Sequence, residues 1–582
     1  MLNTAIKESV KRLIDEKMKR YNPETGLLKE FFAPNYHSYL KPGEYHFINN
    51  SVNVAAAVFS CEYEEYYEAA KGLLWKALSL QRKTGELEGL WSYFLEESLE
   101  EMVQPDWNYA DFNAYPMLYL LKEHADRLDS ELREAMKEAC CASCRAILRR
   151  NLAVDYTNPT VMGIYCTVLC GTLFHVPEFV AYGKKKLNKL YFRVMNAGAY
   201  EEYNCPTYSM LVADLYSLIL RHIEEKEVVE KVTVLNHILW RMLGEHYHFE
   251  LGELTGPHLR QYTEFLSPNS GCAIQNAVSA ELGIAPPDQA VLFSALYQTE
   301  CPEEEKPLFL KRNKSEAFRR IITPGAIYSK FYWPQVDTQY ITPRYTVGSI
   351  SMSDCWNQRR NVVAYIGDKE KKVSIRLRAY LDGYDFSSGF SSTAQHGGVA
   401  LSITNFHTDW GKTHPTLDPV IDAKFMAKDV RILYQIKANT HGIIEEITTE
   451  KTASGYRLEV LGTAVEIQFP YAAITGGEPY MELQTTEDEM LLSMVLYSGE
   501  ETEIDFNALE SMAIVSVLSV GETTDSPAVK EENGFITAKL AAGAVLEVKS
   551  SGKPLKQMHS SLLNEILIDG VNVLEAAERE NE

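Results

Sequence analysis

Apolar residues recur three and four positions apart through the first half of the chain. Glu62 to Gln81, Ser130 to Arg149, Thr160 to Phe174, Phe179 to Met195, Thr207 to Arg221 and Val228 to Glu245 all show this period, separated by Gly, Pro and Asn breaks. About ten such segments of similar length, with no strand pattern between them, predict antiparallel helix pairs stacked as a bundle, solenoid or toroid. The period changes after the acidic, proline-containing stretch Glu300 to Lys306, which reads as a linker. From residue 326 onward the pattern alternates, as in Val373 to Tyr380, Arg431 to Lys437, Tyr456 to Leu461 and Met490 to Tyr497, with turn residues between. That spacing predicts antiparallel sheets packed as a sandwich. The expected fold is therefore multidomain, α then β: an (α/α) toroid over residues 1–305 and an antiparallel β-sandwich over residues 306–582.

Composition narrows the functional classes. The chain has 582 residues, too many for one ordinary core, and carries a formal net charge of −23. Nucleic acid and broad polyanion fields call for a basic stripe that this composition does not supply. A few arginines acting locally still suit a small anionic substrate, because salt screens the other charges beyond about 8–10 Å. The segment from Met1 to Arg20 reads as a charged amphipathic helix without a secretory apolar core, and no apolar run is long enough to span a bilayer, so a cytosolic protein with no membrane partner is expected. Of the ten cysteines, Cys140, Cys141, Cys144, Cys166 and Cys170 fall inside helical patterns, where reduced cysteine packs as a small hydrophobe. Cys141, Cys144, Cys166 and Cys170 have spacings that would also serve zinc, but core packing is the better reading.

Two segments concentrate proton-transferring and sugar-gripping side chains. One is Tyr200-Glu201-Glu202-Tyr203-Asn204 with Tyr208 at the entry to a helix; the other is Gly256-Pro257-His258 with Arg260 and Tyr262. Tyr208 is the candidate acid or base, oriented by Glu202 and Asn204. His258, Arg260 and Tyr262 alternate and would project to one side of an extended loop, where the guanidinium lowers the cost of a phenolate or pairs with a carboxylate. Asn158, before Pro159, suits an N-cap or a hydrogen bond to a substrate carboxylate. Asp106, Trp107 and Asp111 offer an aromatic platform with polar neighbours for a sugar ring, or a helix start with a buried indole. In the β half, Trp356, Arg359, Arg360 and the glycine-flanked His396 stand out. His246 with His248, and His407 with Asp409 and His414, have no strict zinc spacing. No phosphate loop, dinucleotide fingerprint or nucleophile elbow is present, so no metal and no cofactor is expected.

The order Asn158, Tyr208, His396 on a helical half followed by a sandwich resembles the heparinase II/III-like and alginate-lyase-like polysaccharide lyases over nearly the whole chain. In many of those enzymes a histidine follows the asparagine, whereas here Pro159 does; His258 would supply that histidine. The resemblance implies β-elimination at a uronic acid without a metal. Asn158, Arg260 or a histidine would neutralise the carboxylate, and a tyrosine would exchange the proton. The expected partner is an oligo- or polysaccharide, and a homo-oligomer stays open. Two other classes fit the same residues. A glycoside hydrolase would draw a carboxyl pair from Asp106, Asp111, Glu201 and Glu202, at separations of about 5–5.5 or 6.5–9.5 Å. A non-catalytic protein would use the same aromatics and arginines only to hold sugar.

Overall fold

The computed structural model describes residues 4–33, 37–284, 296–310, 315–323, 333–407, 420–555 and 564–581. The chain divides into two compact units, the first made of Met1–Asn196, Thr207–Arg241 and Pro268–Lys306, the second of Ala197–Pro206, Met242–Ser267 and Pro307–Glu582.

The first unit is helical: α1 (Thr4–Met18), α2 (Ile48–Ser60), α3 (Tyr67–Leu80), α4 (Asn108–Glu123), α5 (Ser130–Arg150), α6 (Thr157–Leu173), α7 (Pro177–Ala197), α8 (Pro206–His222), α9 (Lys226–His246) and α10 (Pro268–Val278). At residue 242 the last turn of α9 passes into the second unit. Helices α2, α4 and α6 are buried on nearly every side, whereas α5 buries a single face. Helix α4 packs on α2 and α6, and α3 packs on α5. This gives the inner and outer helix layers expected of an (α/α) architecture. Polar side chains join two inner helices: Asn49 donates to the Asn113 side chain at 3.1 Å and Asn53 donates to Asn49 at 2.8 Å. The cysteines of α5 and α6 are free thiols, buried except for the half-buried Cys141.

Helices α7 and α8 begin before the apolar period does, because Pro177 and Pro206 occupy first-turn positions that need no N–H donor. Asn158 is the second residue of α6, and Tyr156 holds the capping position expected for it. A small three-stranded sheet (residues 21–22, 27–32 and 43–46) interrupts the helices, where only helices were expected. The acidic stretch read as a linker is also anchored, since the buried Glu305 accepts from Arg241 at 2.9 Å and from His237 at 3.2 Å.

Among the described residues, the second unit stacks three antiparallel sheets of nine, seven and five strands. Val347, Ile375, Ile432 and Leu492 of the nine-stranded sheet meet Ile467, Ile514 and Leu518 of the seven-stranded sheet. The seven-stranded sheet turns Leu401, Val515 and Val517 the other way, onto Ile536, Leu546 and Ile566 of the five-stranded sheet. The expected sandwich therefore carries a third layer, and strand Met512–Val520 is buried at every residue.

The outer face of the nine-stranded sheet positions the candidate site. Strand Lys372–Leu381 alternates, so while Val373, Ile375 and Leu377 enter the core, Arg376 and Arg378 stand on the opposite face beside Val363 of the neighbouring strand. Leu251, Val363 and Tyr365 form a small apolar cluster on this face, with Phe265 packed against it. The residue 242–267 excursion thus lies on the sheet.

Candidate functional site

Gly256 and Pro257 are joined by a cis peptide bond, and the loop around them is pinned to the sheet. A Cβ at Gly348 would overlap the Gly256 carbonyl, and one at Gly256 would overlap Val363, so backbone rests on backbone here. Gln339 Nε2 donates to the Gly256 carbonyl, and Asn204 Nδ2 donates to the carbonyls of Thr255 (2.6 Å) and Pro257 (2.9 Å). The backbones of His258 and Arg360 exchange two hydrogen bonds, at 3.3 and 2.9 Å. Asn204, at a positive φ of 45°, therefore acts as the clasp between the two sequence segments that drew attention.

His258 is fully buried and its tautomer is fixed. Nδ1–H donates to the Asn204 carbonyl at 2.6 Å, leaving a bare Nε2 without a hydrogen-bond partner among the described residues. Burial pushes its pKa down to about 3; the Asn204 and Leu254 carbonyls oppose the shift, while Arg360 and His246 add to it. At neutral pH this imidazole is uncharged, and its low pKa makes it a weak proton acceptor.

Arg260 binds Glu202 through Nη1 at 2.6 Å, Gln358 through Nε at 2.8 Å and the Tyr262 hydroxyl through Nη2 at 3.1 Å. Its guanidinium and that of Arg359 lie 5.6 and 5.7 Å from the Trp356 ring. Arg359 also pairs with Asp354 at 3.3 Å and donates to the Leu259 carbonyl at 2.7 Å. Tyr262 is 52% exposed, as is Tyr384 in similar degree, and Tyr384 receives a 2.9 Å hydrogen bond from Asn357. Glu202, Tyr203, Asn204, His258, Arg260, Tyr262, Trp356, Arg359 and Arg360 thus fall into one region of the second unit.

Beside them lie residues that motif reading missed. Arg376 pairs with Glu264 at 2.8 Å, and Arg360 reaches the same carboxylate at 3.7 Å. Arg360 Nε and Arg376 Nη1 have no acceptor among the described residues. Burial, then repulsion from Arg360, brings Arg376 down to about 9. The signal for Arg376 was present in the polar face of the strand Val373 to Tyr380, since two arginines two residues apart share one side. Asp337 is the other omission. Its Oδ2 accepts from the Tyr203 hydroxyl at 2.5 Å and lies 2.9 Å from His246 Nε2, while His246 Nδ1 is 2.8 Å from the Met242 carbonyl. Burial and Asp337 raise the Tyr203 hydroxyl well above its ordinary value, which makes that phenol a proton holder.

His248 Nε2 meets the Thr342 carbonyl at 2.6 Å, and His407 stacks on Phe390 at 4.7 Å. Asp409 and His414 lie outside the described residues. Phe390 pairs with Asp354, and His396 stands six residues further, about 20 Å along the same strand. The structure does not bring His396 to His258.

Asn158, Tyr208, Asp106, Trp107 and Asp111 belong to the first unit. Tyr208 is the half-buried third residue of α8, and Asn158 is buried. Asp106 accepts from the Tyr93 hydroxyl at 2.7 Å and from the Asn108 amide at 3.0 Å, so it secures the start of α4. Trp107 packs against the Leu90, Tyr93 and Phe94 cluster. Burial raises the Asp111 carboxyl to about 8, opposed by Arg150, and its Oδ1 has no hydrogen-bond partner among the described residues.

Residues 100–280 match a domain of unknown function (DUF8769). No curated protein matches the sequence. Two solved structures are similar along their length. A heparinase III crystal structure aligns over 95% of this chain and 91% of its own, with 8% identity and a TM-score of 0.49. The chondroitin AC lyase of Streptomyces coelicolor A3, in complex with chondroitin sulphate, aligns over 94% and 88%, with 10% identity and a TM-score of 0.44.

Proposed function

We propose that this chain is a carbohydrate-active enzyme that cleaves a uronic-acid-containing oligo- or polysaccharide by metal-independent β-elimination. The observation that carries the reading is a surplus of buried cationic donors in the second unit: Arg360 and Arg376 share the single carboxylate of Glu264, and Arg360 Nε and Arg376 Nη1 lack an acceptor among the described residues. Removing the C5 proton of a uronate places charge on a carbon beside an ionised carboxylate. Fixed N–H donors on that carboxylate, beside a group that takes the proton, are what the step requires.

Within this reading Tyr208 exchanges the proton with the glycan, and Asn158 opposes the charge on the carboxylate. Arg260 serves differently from the expectation, because Glu202 already meets its charge. It holds Tyr262 and Trp356 in place for the sugar. Asp111 favours hydrolysis as the second reading, since a carboxyl raised to about 8 is protonated at neutral pH and could act as general acid.

A screen of uronate-containing oligosaccharides, following absorbance of a new C4–C5 double bond and reducing ends in parallel, tests both. Both signals rising together support elimination. Reducing ends without the absorbance mean hydrolysis, and saturable binding with neither signal leaves only a glycan-binding protein.

A further inference from the structure

Along α7 the first unit carries a groove of about 1230 Å³, larger than the roughly 300–1,000 Å³ that suits a compact small molecule. It runs from Pro177 to Phe192, about 22 Å of helix. Its walls include Val180, Ala181 and the 61% exposed Phe192.

The cations of this groove are unusual for the chain. Lys184-Lys185-Lys186 is the only run of three consecutive basic residues in a sequence of net charge −23, and Lys189 follows one turn later. Two of the four are engaged. Lys184 pairs at 3.3 Å with Glu227, whose carboxylate also takes Lys231 at 2.7 Å, and Lys186 donates to the Leu152 carbonyl. Lys185 and Lys189 are exposed, and neither has an ion-pair partner among the described residues. At a spacing of four they stand on one helix face about 6 Å apart, a mildly unfavourable arrangement that an anion between them would relieve. The other groove carboxylate, Glu225, accepts from Thr172 at 3.3 Å.

We infer that this groove is an accessory binding site for an extended acidic oligosaccharide, with Lys185 and Lys189 taking its anionic groups and Phe192 the apolar face of a sugar ring. Two neighbouring exposed ammonium groups favour an anion, the length of the groove suits a linear one, and a flat exposed ring beside them suits a pyranose. An acidic peptide recognised through its backbone would instead need a free strand edge or side-chain pockets. The choice of a glycan over other anions rests on the proposed elimination reaction; the preference for an anion does not.

The test uses the full-length chain with carboxylated and sulfated hexasaccharides, neutral cellohexaose and hexaglutamate, read by titration calorimetry and by hydrogen exchange over residues 177–192. An acidic hexasaccharide should bind, protect that segment and weaken with salt. Lys185→Glu with Lys189→Glu should lower affinity roughly tenfold or more, with the fold intact by circular dichroism. Phe192→Ala should weaken binding while unsaturated product forms from short substrates at the wild-type rate. No protection with any acidic hexasaccharide, equal binding of cellohexaose or hexaglutamate, or unchanged affinity in the double variant would overturn the site. Elimination without protection removes this site and spares the proposed function; protection without any elimination product does the reverse.

Discussion

Glu202 Oε1 lies 2.6 Å from Arg260 Nη1, with both side chains almost wholly withdrawn from water. A buried ion pair contributes little against an apolar replacement, but removing one partner strands the other charge. Glu202→Gln should therefore lower stability by about 3 kcal/mol, and Glu202→Leu combined with Arg260→Met should recover much of that loss. Urea unfolding of the single and double variants measures both. If the single variant is as stable as wild type, the pair does not hold the loop.

Tyr208→Phe removes only a hydroxyl from a half-buried ring in the first turn of α8. Turnover on the true substrate should fall by about 10²-fold or more while the melting temperature and substrate affinity stay close to wild type. Near-normal turnover would move the proton transfer to another group.

Titration of His258 should make the protein sensitive to acid. In the unfolded chain its pKa is the ordinary 6.5, whereas burial brings it down to about 3 in the fold. As pH drops below 6.5 the unfolded chain binds a proton that the native state refuses, so stability is lost progressively down to about pH 3. The slope from this residue is at most about 1.4 kcal/mol per pH unit. His407, likewise held down to about 3 by burial, acts in the same direction. His258→Asn keeps a donor for the Asn204 carbonyl and should flatten the stability difference between pH 7 and pH 5. An unchanged difference would show that His258 titrates normally.

Gly348 has no room for a Cβ because the Gly256 carbonyl occupies that space. Gly348→Ala must displace the loop that carries His258, and about 3 kcal/mol of stability should go with it, as for severe overpacking. Activity should fall even where the variant folds, since His258 and Arg360 would lose register. A variant that keeps full activity would mean the loop can shift without consequence for the site.

Periodic patterns made most of the fold legible. The strand Val373 to Tyr380 shows both what they reveal and what they hide. Its alternation predicts a strand with one buried face, yet both faces are buried, because residues 242–267 cover the polar one; Arg376 is consequently a buried cation that looked like a solvated one. Asp337 escaped notice for a related reason. Nothing near it in sequence is chemically distinctive, and its partners Tyr203 and His246 lie more than ninety residues away. The segment Glu202 to Tyr262 was legible because glycine, proline and ionisable side chains cluster there locally. His396 shared the glycine signal, but its glycines serve a hairpin turn between paired His396 and Val399.

The second unit is assembled from three separate stretches of chain, and that fixes the order in which a ribosome supplies its parts. Asn204, His258 and Arg260 emerge first, but the strand bearing Asp337 and the turn bearing Arg360 come only later. At about 5–20 residues per second the wait from His258 to Arg360 is on the order of 5–20 s. Throughout that interval the Gly256 loop has no sheet to rest on, and its later pairings are long-range contacts of the kind that fold slowly. A fragment beginning at residue 307 would have the opposite deficiency. It would carry an uncovered outer face with Val363, Tyr365 and Arg376 presented to water, so cutting the chain at its α-to-β transition should yield an insoluble sheet domain rather than an independent one.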